Sequence, residues 1–209
     1  YWKIALSPED PELIEIRRGE SGIRAWAAEP GEYYHSFDGS YGGLWRRNGR
    51  PPQLLAGVGF SAQGKFEGSY YRRTAESHAP DLAWMFEGIE DQEILGDFGF
   101  SGGGAAGFEL DRADVRLGTP EEVRVVASSE NHTSSFVLVP EEMLTHITNW
   151  PGEEEQQKLI RSDIVYFQTP SGGEVFSTGS ITFCGSLPWN DFDNNISRLL
   201  ENVIRRFLL

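Results

Sequence analysis

DIVYFQTPSGGEVFSTGSITF (163–183) and, just after it, DNNISRLLENVIRRF (193–207) decide the fold. The first stretch opens on an unbroken apolar run, which reads as a buried strand. PSGG supplies a turn, and EVFSTGSITF (174–183) returns as the second arm of a hairpin. In the second stretch Ile196, Leu199, Leu200, Val203, Ile204 and Phe207 recur at helical spacing and mark one apolar face. Asp193 and Asn194 offer N-caps, and Arg205 and Arg206 sit in the last turn, where the helix dipole favours cations. A hairpin with an amphipathic helix to cover it points to an α/β domain of layered, mixed sheet and helices, joined by long irregular loops.

Working outward, EEVRVVASSE (121–130) reads as a strand that ends in small polar residues. SFVLV (135–139) leads to a helix start at Pro140, and WPGEEEQQK reads as a polar connection. LLAGVGF (54–60) reads as a buried strand and YYRR (70–73) as an edge. Residues 79–93 suit either a helix or a short strand, and SGGGAAGFELDRAD (101–114) is a glycine-rich entry to a short apolar run. Residues 30–52, PGEYYHSFDGSYGGLWRRNGRPP, combine Gly and Pro with many aromatics, as an ordered surface loop does. The chain opens directly on the strand-like YWKIAL, so more polypeptide is expected before Tyr1. Residues 1–209 form one domain or the C-terminal portion of a larger catalytic domain.

With 209 residues, 39% hydrophobic and 12% aromatic, the chain can fill a core. A net charge of −14 repels phosphate backbones and anionic lipid, so nucleic acid and membrane are poor partners. No apolar stretch approaches the ~20 residues needed to span a bilayer, and a cytoplasmic location is expected. Cys184, the single cysteine, allows no internal disulfide and reads as a buried, inert thiol in ITFCGSL.

Four groups of residues could carry chemistry. GGGAAG (102–107) lacks the lysine of a phosphate-binding loop, so its glycines are read as a tight turn with close backbone packing. In FELDRAD, Glu109 and Asp111 share a strand face with Arg112 opposite. Glu109 could act as a general base or orient a water, or form an ion pair with Arg112. Glu130 and His132 follow a strand end and could serve as an acid/base pair or as metal ligands. Tyr33, Tyr34 and Tyr41, with His35 beside them, could bind a hard ferric ion or simply pack a loop. The nucleophile elbow G-x-S-x-G is absent, which argues against a self-contained serine hydrolase.

Several long stretches carry a family resemblance. They are IRAWAAEPGEYYHSFDGSYGGLWRRNGRPPQLLAGVGFSAQG (23–64), GGAAGFELDRAD (103–114), ASSENHT (127–133), VYFQTPSGGEVFSTGSITFCGSL (165–187) and DNNISRLLENVIRRF (193–207). Together they resemble the C-terminal region of the N,N-dimethylformamidase large-subunit family. The resemblance implies an amidohydrolase that splits a small amide such as N,N-dimethylformamide into formate and dimethylamine. It also implies a mononuclear iron held by two tyrosines and a glutamate, a glutamine-amidotransferase-like α/β fold and a small partner subunit in a hetero-oligomer. On this resemblance the iron ligands are expected upstream of Tyr1, with Tyr33, Tyr34 and Tyr41 as the fallback. A site carboxylate is expected at Glu109, with His132 and Glu130 as further catalytic candidates. Two other readings stay open: a non-catalytic structural or subunit-assembly domain of the same family, and a different hydrolase or a carbohydrate-binding module using surface aromatics.

Overall fold

The computed structural model describes residues 2–18, 49–139 and 152–209. Tyr33, Tyr34, Tyr41, His35 and the expected helix start at Pro140 lie outside these residues. Strands β1 (Trp2–Leu6) and β2 (Ile14–Arg18) pair antiparallel as a separate ribbon. Helix α1 (Pro52–Ala56) precedes β3 (Gly59–Arg73), the longest strand. Then come β4 (Ala106–Arg112), β5 (Arg124–Glu130), β6 (Val137–Leu138), α2 (Glu153–Leu159), β7 (Asp163–Gln168), β8 (Glu174–Ser177), α3 (Phe183–Ser186) and α4 (Asn195–Phe207). Strands β3 to β8 form one sheet of order β4-β3-β5-β7-β8, with β6 also on β3. The composition is mixed α/β, and every pairing among the described strands is antiparallel. No helix among the described residues is long and apolar enough to cross a membrane.

The hairpin of β7 and β8 closes as the sequence predicts, with Phe167 opposite Val175 and Gln168 opposite Glu174. Helix α4 also forms as predicted. The Asn194 side chain accepts a hydrogen bond from the Ser197 amide at 2.9 Å, and Ile196, Leu199 and Val203 are buried. They pack in one cluster with Leu82, Met85 and Phe86 of a 3₁₀ segment, Pro80–Phe86, which is the form taken by the ambiguous 79–93 stretch. The far side of the predicted stripe stays uncovered: Leu200 is half-buried, and Ile204 and Phe207 are exposed.

Other expectations are corrected. LLAGVGF does not form one strand. Pro52 opens a short helix, and Gly57 ends it in the left-handed conformation at φ 77°, leaving Leu54 and Leu55 exposed. A short apolar run cannot by itself distinguish strand from helix. YYRR is not an edge: it is the inner end of β3, paired to β5, and Tyr71 is fully buried. The polar connection after Gly152 is helix α2, with three glutamates in its first turn and Lys158 in its last, as the dipole favours. The second arm of the hairpin is only four residues long. Cys184 falls in α3 and is exposed, so the buried-thiol reading fails.

Between α3 and α4 the backbone is strained. Asn190, Asp191 and Phe192 all take left-handed conformations, with φ of 51°, 53° and 67°. The cost falls mainly on Phe192, about 1–2 kcal/mol, because Asn and Asp enter this region more readily. Hydrogen bonds hold the turn: the Asn194 amide donates to the carbonyls of Leu187 and Trp189, and the Asn190 amide donates to that of Asp193.

Candidate functional site

The predicted site residues sit on the two strands that flank β3. Glu109 lies on β4 opposite Gln63, and Glu130 lies on β5 opposite Tyr70. Along β4 the burial alternates as expected. Leu110 and Arg112 point into the core, while Glu109 and Asp111 are half-buried on the other face. Phe108, just before Glu109, has φ 59°, which is rare for a bulky residue. The cause lies across the ladder. Between the pairs Gln63–Glu109 and Gly68–Gly107, β3 has four residues where β4 has only Phe108. Here β3 bulges, and Phe108 turns left-handed to rejoin it, its ring meeting Phe66 edge-on at 5.7 Å. Backbone strain of this kind concentrates where a structure aims a functional side chain.

The glycine-rich stretch serves packing, as expected. The Gly68 amide donates to the Gly102 carbonyl at 2.7 Å, and a Cβ on Gly107 would run into the Glu67 carbonyl.

The expected ion pair between Glu109 and Arg112 does not form. The fully buried Arg112 donates instead to the Leu159 carbonyl at 2.7 Å and to Asp114 at 2.8 Å. Burial works against the charge of Asp114, but hydrogen bonds from Arg116 and Arg112 hold its carboxyl below the usual range.

On the other edge of β3, Glu130 pairs with Arg72, both half-exposed. A pair this exposed contributes roughly 0–1 kcal/mol. After Asn131, again left-handed at φ 63°, comes His132. Its Nε2 lies 2.6 Å from Ser129 Oγ, and its ring stands 4.7 Å from that of Phe136. The Ser129 oxygen also accepts from the Ser162 amide at 2.7 Å, which holds the hydroxyl beside the ring. The other ring nitrogen, Nδ1, is buried without a hydrogen-bond partner among the described residues. Burial pushes the imidazole pKa down to about 4 against the opposing pull of Glu67. His132 is thus a neutral, partly buried base. Glu130 and His132 stand two residues apart at the end of β5, and Glu109 lies on the other edge of β3, paired to Gln63, seven residues before the Tyr70 that pairs with Glu130.

Two residues that the sequence reading missed belong here. Ser129 orients His132. Glu67, in the bulge, accepts from Ser135 and Thr133, and these bonds lower its pKa. The signal for Glu67 was Gly64 and Gly68 four residues apart within a strand, a mark of a bulge. Among the described residues no group of three or more His, Cys, Asp or Glu could hold a metal ion. Glu109, Glu130 and His132 therefore do not come together as a three-ligand set. Among the described residues, hollows of about 580, 480 and 450 Å³ lie elsewhere, beside Arg206, Leu55 and Asn202 respectively.

The depressed imidazole pKa gives a pH prediction. The unfolded chain, with a value near 6.5, binds a proton at His132 that the folded chain refuses until about pH 4. Stability from this group is therefore present above pH 6.5, is lost as pH falls, and is gone below about 4. The gap corresponds to ~3 kcal/mol at most. Urea titrations between pH 7 and 4 should show this loss, and His132→Gln should flatten the slope. An unchanged slope would mean that His132 is solvated in the folded protein.

The sequence model of the family described as "N,N-dimethylformamidase beta subunit-like, C-terminal" matches residues 1–195. Two curated proteins, the N,N-dimethylformamidase beta subunits of Alcaligenes sp and Paracoccus aminophilus, are each 40% identical over 208 residues. The match covers 100% of this chain and 27% of each relative, so the chain spans about a quarter of their length.

Proposed function

Because the chain belongs to the N,N-dimethylformamidase beta-subunit-like C-terminal family, we propose that it acts as the C-terminal part of the large subunit of an iron-dependent amide hydrolase. The substrate class is a small amide such as N,N-dimethylformamide, cleaved at the C–N bond to formate and dimethylamine. The observation that carries this reading is the 40% identity running over the whole chain to proteins of that name. Within these residues Glu109 is the proposed site carboxylate, taking or steering the proton of the attacking water. Its half-buried position beside the strained Phe108 supports that role. His132 and Glu130 are second candidates. His132 is neutral near pH 7 but, with its pKa pushed down to about 4 by burial, a weak proton acceptor, while Glu130 is already engaged by Arg72.

Among the described residues Glu109, Glu130 and His132 form no three-ligand set for iron. In this reading its ligands lie in the remainder of the large subunit, in a catalytic region with the glutamine-amidotransferase-like arrangement that the family resemblance implies. A small partner subunit and a cytoplasmic location complete the proposal. The non-catalytic assembly reading is favoured by a different feature, the exposed aromatics between α3 and α4.

The 209-residue chain alone is expected to bind no stoichiometric iron and to release no formate from N,N-dimethylformamide. A polypeptide of the relatives' full length, with its small subunit, is expected to do both. Elemental analysis and formate assays on the two proteins decide it. About one iron per isolated chain would overturn the placement and turn attention to Tyr33, Tyr34, Tyr41 and Glu130. An inactive full-length assembly that still carries iron would favour another substrate.

A further inference from the structure

The turn between α3 and α4 displays aromatic rings instead of burying them. Trp189 stacks on Phe98 at 5.9 Å with an interplanar angle of 23°, and it tilts against Phe100 at 5.2 Å. Phe100 and Phe192 are 69% and 64% exposed. Phe192 ends the strained left-handed run, and the side chains of Asn194 and Asn190 tie down the carbonyls on either side of it, those of Leu187, Trp189 and Asp193. A ring fixed in this way loses little freedom when a partner covers it.

Charge selects the partner. Asp97 adjoins Phe98, Asp191 and Asp193 adjoin Phe192, and all three are exposed, with no ion pair among the described residues. A second copy would bring the same carboxylates, and a net charge of −14, to the contact, so repulsion disfavours self-association. A cationic chain meets both demands. Guanidinium groups stack on aromatic faces and pair with carboxylates, while aliphatic side chains cover the rings.

We propose that Phe98, Phe100, Trp189 and Phe192, with their aspartate rim, form a docking surface for a basic, apolar segment of another polypeptide. This surface does not depend on whether Glu109 takes part in hydrolysis.

The test titrates the 209-residue chain calorimetrically with an end-capped peptide of alternating leucine and arginine. A leucine–glutamate peptide serves as control. Saturable binding of the arginine peptide alone is expected. Phe192→Asn should weaken it by about tenfold or more, as loss of a central aromatic does. Asparagine tolerates the left-handed backbone, so this variant keeps its melting temperature. Asp191→Asn with Asp193→Asn should weaken binding severalfold, and Leu55→Asn, at a distant exposed site, should leave it unchanged.

Binding that survives Phe192→Asn overturns the proposal, because it would be unspecific attraction to an acidic protein. So does the absence of binding. So does a soluble glucan oligosaccharide that binds in place of the peptide and is lost in Phe192→Asn, which would make the aromatics a sugar platform. Self-association of the parent that Phe192→Asn abolishes would likewise replace a basic partner with a second copy.

Discussion

Glu109→Gln, made in a polypeptide of the relatives' full length, is expected to cut turnover by ~10²–10⁴-fold, the usual contribution of a proton-transferring group. Iron content and melting temperature should stay near the parent's. Glutamine keeps the size of the side chain and removes the charge, and the structure shows no ion pair with Arg112 that the change could break. Asp111→Asn, two residues along the same face, serves as the control and should do much less. The outcomes separate cleanly. Lost iron would make Glu109 a ligand. Lost stability would mean that the bulge depends on its charge. Unchanged turnover would remove it from the site and make His132 the next residue to test.

Asp163→Ala is expected to destabilise the fold by about 3–5 kcal/mol, the range for removing one partner of a buried charged network. Asp163 is fully buried at the start of β7. It accepts from the Ala113 amide at 3.0 Å, the Ser128 hydroxyl at 2.7 Å and the Arg161 guanidinium at 3.0 Å. Alanine leaves all three donors without that acceptor, the Ala113 amide in a buried position. Asp163→Asn keeps one carbonyl oxygen and should cost less. Urea denaturation of both variants measures the difference. Equal stability of Asp163→Ala and the parent would mean that water takes over all three bonds.

The sequence was legible where a single periodicity governed a segment. Helix α4 and the β7–β8 hairpin were readable because their apolar spacing has one physical solution. It failed where apolar residues stood in short runs. Leu54 and Leu55 joined a helix because Pro52 and Gly57 bracketed them. Cys184 left the strand because β8 ends at Ser177. For the site, the paired carboxylates of β4 and the histidine after β5 could be named, but their surroundings could not. The partner of Arg112 is Asp114, whose position depends on how the chain leaves β4. The roles of Ser129 and Glu67 depend on contacts across the sheet, between residues that no local spacing brings together.

Strand β3 has a consequence for how the molecule is made. Its partners in the sheet, β4, β5 and β6, all lie later in the chain, and the last of them ends at Leu138. As the polypeptide leaves the ribosome, β3 therefore emerges well before any of the strands that will cover its edges. At synthesis rates of about 5–20 residues per second, its open hydrogen-bonding edges wait several seconds for their partners. Production of this chain should accordingly be limited by capture of the nascent β3 region by neighbouring chains. Lower temperature or added chaperones should raise the soluble yield more than any stabilising change in the finished fold.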